Sequence, residues 1–257
     1  MSEIFCGSSR TVGVLDVDPD LMLGLDPEHE QVARARTRAP LIEARGPSWD
    51  PTVISEAAEP GWLGLFLVEG LMIRCVSIGS RTACELFGPG DLIRPWDVDG
   101  EYEPLPIATS WRVPRASKLA VLDDSFALRI APWPTIVSRI VGRVANRARS
   151  LALNQAVSHL ARADSRLLIV FWLLADRWGK VVPEGIRITL PLTHEVLAIL
   201  IGVRRPTATL AVQRLTRAGL IARRRPDQWL LTRLAVDKLN EPESLELIDG
   251  RLELDSD

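Results

Sequence analysis

A chain of 257 residues, 47% of them hydrophobic and 25% charged, with a formal net charge of −2, has enough apolar material for two small domains and is not a disordered polymer. Its longest unbroken apolar run, residues 167–175, is too short to cross a bilayer, and its first residues lack the basic stretch and apolar core of a secretion signal; a soluble, cytoplasmic protein is expected. The three cysteines, Cys6, Cys75 and Cys84, are odd in number and lack C-x-x-C spacing, so no disulfide framework or zinc site is indicated, and Cys75 and Cys84 are expected in a sheet core.

Residues 1–40 combine an acidic, Pro-interrupted stretch (14–28) with a basic one of weak helical character (29–39), which reads as an extension carrying a short helix. From residue 41 to 128 the texture changes to short apolar runs of strand length: 53–54, 62–68, 71–78, 82–87, 110–113 and 118–122. Turn signals separate them at Glu69-Gly70, Ile78-Gly79 and Gly88-Pro89-Gly90-Asp91, a pattern that argues for an antiparallel sandwich or roll. Beyond Trp133-Pro134, with Thr135 as a cap, helical periodicity runs to about His159. Its stripe, with Val137, Ile140, Val141, Val144, Ala148 and Leu151, has near-heptad spacing; it either lies on the sheet or forms a two-fold contact between protomers. Residues 161–165 are polar enough for a hinge, and residues 166–178 form a strongly apolar helix whose Phe171 and Trp172 read as packing residues.

Residues 190–220 hold two short helices joined by a Gly-containing turn. The first follows Thr193, a good N-cap, and buries Val196, Leu197, Leu200 and Ile201 before Gly202 breaks it. The second has Pro206 in its first turn and Gly219 just past its end, with Ala208, Ala211, Val212 and Leu215 on one face. Its other face presents Arg205, Pro206, Thr209, Leu210, Gln213 and Arg217, with Arg204 and Thr207 near the start and Arg214 on the flank. Arginine at the N-terminal end suits a major-groove reader, because its planar fork can donate twice to guanine. A strand, a basic turn with Arg223, Arg224 and Arg225, and a second strand follow, as in the hairpin of a winged helix. Between residues 186 and 226 the only acidic residue is Glu195, so a local basic footprint on a near-neutral chain points to a polyanion partner for this segment, which the helix-turn-helix layout makes double-stranded DNA. Two amphipathic helices with surface arginines also occur in proteins that bind no DNA. The end of the chain, from Asp237, is acidic and reads as a solvated tail.

Residues 193–221 resemble the C-terminal pattern of the Crp/Fnr transcription regulators: Thr, a charged pair, an apolar helix, an Ile-Gly-Val turn, Arg and Thr, then a Leu-rich helix ending in Gly-Leu-Ile. The resemblance implies an α+β fold: an N-terminal antiparallel β-roll of jelly-roll type, a long dimerisation helix and a C-terminal winged helix-turn-helix. The expected organisation is an extension (1–40), a cyclic-nucleotide-binding-like sensor (41–131), a dimerisation helix (132–163), the DNA-binding domain (164–240) and an acidic tail (241–257). By the same resemblance Thr193, His194 and Thr207 would touch phosphates, Arg205 would read a guanine, and Gln213 stands where a phosphate-contacting Lys is frequent. Pro206 and Leu210 depart from the pattern, replacing a Glu and an Arg that read bases; apolar contact with thymine methyls, helped by Thr209, would take their place.

In nucleotide-binding members a Gly-Glu-Leu and an Arg-Ser or Arg-Thr follow the Gly-Asp turn. Here Arg94-Pro95-Trp96 follows it, then Asp97, Asp99, Glu101 and Glu103, which would repel a phosphate, so cyclic AMP binding by that cassette is not expected. Arg94 and Trp96 could instead hold a planar or anionic effector, or Trp96 could plug the pocket with Arg94 as a surface charge. No cofactor, metal or catalytic residue is expected: His29, His159 and His194 lie far apart without ligand spacing, and no phosphate-cradling Gly loop appears. The leading expectation is a homodimeric transcription regulator, with RNA polymerase as a further partner if it activates. The rival is a ligand-sensing or protein-binding module whose helix-turn-helix no longer reads sequence.

Overall fold

The computed structural model describes residues 10–79, 81–98 and 107–240. The chain divides into two compact units, residues 1–149 and 150–257, with the division falling inside one long helix.

The first unit is built on two long antiparallel strands, β4 (Gly64–Ile78) and β7 (Ile107–Leu122). With β1 (Thr11–Gly13), β2 (Arg38–Ala44) and β5 (Arg81–Phe87) they form a sheet of order β1-β2-β7-β4-β5, to which β3 (Ser48–Trp49) adds on β7 and β6 (Leu92–Ile93) on β4. The apolar runs are continuous because both faces are covered: Leu65, Leu67, Leu119 and Val121 enter one core, Phe66, Ala120 and Leu122 the other. The first core is rich in tryptophan, with Trp62 and Trp111 buried and Trp49 and Trp96 packed against it. The second is roofed by helices.

The sequence-based strands needed joining. Glu69-Gly70 is not a turn: β4 runs through it, with register shifts between Leu67 and Leu71. Gly70, at φ 105°, has the Ser117 Cα 2.6 Å from where a Cβ would sit, so the irregularity demands glycine there. Ser117 then bridges the gap, its hydroxyl accepting from Leu71 N at 3.0 Å. Residues 53–54, expected as strand, lie in helix α3 (Thr52–Ala57), started by Asp50, which accepts from Thr52 N at 2.9 Å.

Two further expectations are corrected. Residues 11–36 are not an appendage: β1 pairs with β2, and helix α1 (Val14–Val17), a 3₁₀ turn (Pro19–Met22) and helix α2 (Pro27–Arg36) place Val14, Leu15, Leu21, Met22 and Ala33 in the second core. Cys75 and Cys84 are not isolated core thiols. They face one another across β4 and β5, their Cα atoms 4.2 Å apart, and form a disulfide. The Ile78-Gly79 hairpin brings them opposite, a pairing that linear spacing does not reveal.

Helix α4 (Asp124–Ile130) leads into α5 (Pro134–Ser158). The apolar stripe of α5 is split. Ile136 and Ile140 are buried in the second core with Val137 packed against it, whereas Val141, Val144 and Leu151 are 55%, 37% and 40% exposed. Val137 and Ile140 therefore serve the core of the unit rather than a free face. The same side of α5 carries arginines one turn apart: Arg139 donates to the Leu23 carbonyl, Arg143 pairs with buried Asp18, and Arg147 grips Glu85 at 2.8 and 3.0 Å. Glu85 also accepts from Arg74 at 3.1 Å, so one carboxylate holds two guanidinium groups.

Arg94 and Trp96 have structural partners. Arg94 donates to the Trp62 and Leu63 carbonyls at 2.7 and 3.2 Å and to Asp97 at 2.7 Å, and its guanidinium lies over the Trp96 ring, which meets Trp62 edge-on. Asp99, Glu101, Glu103, Cys6 and the acidic stretch 241–257 lie outside the described residues.

In the second unit α6 (Ala163–Trp178) buries Leu167, Leu168, Val170, Phe171 and Leu174. A sheet of order β10-β11-β9-β8 follows from β8 (Gly179–Val182), β9 (Gly185–Thr189), β10 (Ile221–Arg225) and β11 (Gln228–Thr232). Helices α7 (His194–Leu200) and α8 (Arg205–Arg217) lie between its hairpins in sequence, and α9 (Arg233–Asn240) closes the unit.

Candidate nucleic-acid interface

The site is assembled by α7, α8 and the β10–β11 hairpin. Thr193 caps α7, its Oγ1 accepting from Val196 N at 3.2 Å. Val196, Leu197, Ala198 and Ile201 face inward, and Gly202, at φ 66°, reverses the chain while Val203 N closes onto the Ala198 carbonyl at 3.0 Å. The second helix then starts with Pro206 in its first turn and buries Ala208, Ala211, Val212 and Leu215. These are the positions that 3.6-residue periodicity assigns to the inner face.

The outer face is polar and open. Arg204, Arg205, Pro206, Thr207, Gln213, Arg214 and Arg217 are exposed, as are Arg223, Arg224 and Arg225 on the hairpin. Leu210 is 53% exposed, an apolar side chain held in solvent in the middle of this face. Thr193 is exposed and His194 and Thr209 are half-buried. The Thr209 hydroxyl is turned inward, donating to the Arg205 carbonyl at 3.0 Å and lying 3.1 Å from His194 Nδ1. It is therefore not offered outward with the residues around it.

The hairpin is anchored by Trp229, 1% exposed, whose indole Nε1 donates to the Leu192 carbonyl at 3.2 Å and whose ring packs on Phe171, centroids 5.2 Å apart. Arg223 stacks over the outer side of that indole at 5.2 Å and donates to the Pro226 carbonyl at 2.8 Å. The signal for this role was present in the sequence, a tryptophan between two apolar strands, but its partner Leu192 is 37 residues away. His194 sits within the field of Arg205 and Arg223, and burial first, then these two charges, hold its imidazole below the ordinary histidine range.

An exposed basic helix set on a second helix and flanked by an arginine-tipped hairpin defines a winged helix-turn-helix DNA-binding unit. Residues 165–241 match the model of the Crp-like helix-turn-helix domain. The regulatory protein CysR of Synechococcus elongatus is 31% identical over 159 residues, covering 60% of this chain and 68% of CysR. The chain belongs to the Crp/Fnr family of transcription regulators.

Solved structures agree on the fold over nearly the whole chain. FixK2 from Bradyrhizobium japonicum superposes with a TM-score of 0.54 at 14% identity, over 83% of this chain and 98% of FixK2. A CooA variant from Carboxydothermus hydrogenoformans gives 0.55 at 14%, covering 87% and 94%. A cyclic nucleotide-binding domain containing protein from Listeria monocytogenes gives 0.56 at 14%, covering 84% and 97%. Among the described residues no helix is long and apolar enough to cross a membrane.

Proposed function

We propose that the protein is a cytoplasmic, homodimeric regulator that reads a two-fold-symmetric DNA operator and is not switched by cyclic AMP through the usual cassette. The observation that carries the DNA reading is the outer face of α8, where Arg204, Arg205, Pro206, Thr207, Leu210, Gln213, Arg214 and Arg217 stand exposed beside Arg223, Arg224 and Arg225. Arg205, at the helix start, reads a guanine; Leu210 and Pro206 contact thymine methyls; Thr193, His194 and Thr207 take phosphates at the N-termini of the two helices, where free backbone N–H groups favour anions. The flanking and hairpin arginines neutralise phosphates.

Dimerisation uses the exposed half of the α5 stripe, Val141, Val144 and Leu151; the side chain of Ala148, at the intervening heptad position, lies outside the described residues. Two readers related by such an axis fit half-sites about 34 Å apart. If the protein activates transcription, RNA polymerase is its further partner. Independence from cyclic AMP is supported by the tryptophan-filled first core and by Arg94, whose donors go to the Trp62 and Leu63 carbonyls and Asp97.

The test is selection of duplexes from a random pool with the wild-type protein and with Arg205→Ala. A palindromic motif that loses its guanine preference in the variant is expected. Salt-sensitive binding without any motif refutes sequence reading, and a motif without two-fold symmetry refutes the dimer.

A further inference from the structure

We propose that the Cys75–Cys84 disulfide is a thiol-exchange site, entered at Cys84 by a low-molecular-weight thiol, and that its state sets how firmly Glu85 holds helix α5. The consequence for assembly rests on the cytoplasmic, dimeric reading above.

The bond ties the least supported strand of the first unit. Among the described residues β5 is an edge, paired with β4 alone, whereas β4 is also held by β7, with Arg74 opposite Trp111 and Cys75 opposite Ser110. Ladder pairs alternate between faces: Met72 with Phe87 and Arg74 with Glu85 on one, Ile73 with Leu86, Cys75 with Cys84 and Ser77 with Thr82 on the other. As a staple the bond adds little, because it closes a loop of sequence separation 9 that the ladder on either side already closes. As a reaction centre it is open on one side. Cys75 is 3% exposed, but Cys84 is half-buried and follows exposed Thr82 and Ala83. Disulfides of cytoplasmic proteins are usually transient ones, and this bond presents one cysteine to an incoming thiol.

A thiolate attacks Cys84 Sγ, the bond between the two protein sulfurs breaks, and Cys75 leaves as a thiolate that takes up a proton. A second thiolate attacks the external sulfur of the mixed disulfide and releases Cys84, which is protonated in turn. One protein disulfide and two small thiols become two protein thiols and one small disulfide.

The effect reaches α5 through the neighbouring ladder pair. Glu85, 8% exposed, accepts from Arg74 at 3.1 Å and from Arg147 of α5 at 2.8 and 3.0 Å, and the Arg147 guanidinium lies 4.9 Å from the centre of the Phe87 ring. With the disulfide intact, β5 is fixed in register and the carboxylate stays against Arg147. With it open, the edge strand keeps backbone pairing and the exposed Ser77–Thr82 hydroxyl contact at 2.9 Å; it opens more often, and Glu85 leaves Arg147 with it. The helix so released carries Val141 and Val144 of the proposed dimer surface.

The test uses the full chain carrying Cys6→Ser, which removes the third cysteine. The native protein is equilibrated at neutral pH in a series of reduced and oxidised glutathione, quenched with an alkylating agent and analysed by mass spectrometry. It should pass from no labelled thiol to labelling of both Cys75 and Cys84, with the trapped glutathione adduct on Cys84. Free thiols throughout the series, a bond that opens only in denaturant, or an adduct on Cys75 overturns the exchange site. Sedimentation of the two end states then measures assembly. Reduction should raise the dimer dissociation constant by about fivefold or more, the lower end of ordinary coupling between sites. Arg147→Gln should leave the glutathione titration as it was and remove that difference. Equal dimerisation of oxidised and reduced protein, or a redox difference that survives in Arg147→Gln, overturns the link to α5 while leaving the dimer reading intact; absence of a dimer in both states overturns the dimer reading and the link with it.

Discussion

Replacing Trp229 by Phe isolates what anchors the hairpin. The aromatic contact with Phe171, centroids 5.2 Å apart, is largely kept, but the indole donor to the Leu192 carbonyl at 3.2 Å is lost from a site where Trp229 is 1% and Leu192 0% exposed. Losing a buried neutral hydrogen bond costs about 1 kcal/mol. The missing part of the indole removes roughly 40 Å² of buried apolar surface, about 1 kcal/mol more. The sum, about 2 kcal/mol, is a large share of the stability of a unit this size and lowers its melting temperature by roughly 10 °C. Calorimetry of the full chain should show one of its transitions displaced and the other in place. Trp172→Phe is the comparison, because Trp172 is only half-buried on the neighbouring helix; it should cost less than about 1 kcal/mol. A loss below about 0.5 kcal/mol at Trp229, or equal losses at the two positions, refutes the anchoring argument.

Arg224→Ala with Arg225→Ala should lower the slope of log affinity against log salt by about 2 per protomer with little change in the preferred sequence, since phosphate contacts carry the salt dependence; an unchanged slope in a titration series refutes contact at the hairpin tip. Glu85→Gln leaves the guanidinium groups of Arg74 and Arg147 facing one another with side-chain exposures of 16% and 21%, and should destabilise the first unit by about 3 kcal/mol; a neutral result in calorimetry shows that the cluster is not held by this carboxylate. For Asp164, burial favours the neutral acid, but hydrogen bonding to Arg162 and the charges of Arg162 and Arg214 outweigh it and lower the pKa. A depressed folded-state pKa contributes stability that is present above the unfolded carboxylate range and lost as pH falls through the folded value. Asp164→Asn should therefore flatten the acid limb of the second unit's stability curve, and an equally steep limb in the variant refutes the assignment.

The DNA-binding unit was legible from sequence because its determinants are local. Thr193 as a cap, Gly202 at a positive φ, Pro206 in a first turn and the buried set Ala208, Ala211, Val212 and Leu215 are all decided within a few residues of chain. The same local logic underlies α2, the short helix expected within residues 1–40, where Asp26 accepts from His29 N at 3.0 Å ahead of Pro27. It misread residues 53–54 as strand, since two β-branched residues carry β propensity whatever turn precedes them. It read Glu69-Gly70 as a turn because a bulge and a turn need the same glycine.

Cap residues, turn glycines and helical periodicity act over one or two turns of backbone, so the amino-acid sequence by itself determined the helix-turn-helix, its basic face and the strand-rich region before the long helix. Tertiary structure alone decided which partners meet across long separations. Asp18 meets Arg143, Glu85 meets Arg147, Trp229 reaches Leu192, Cys75 faces Cys84 across a hairpin, and the α5 stripe divides into a buried part and an exposed part. Each of these depends on strand register and helix placement, which follow from burying apolar surface across the whole unit rather than from any neighbouring residue.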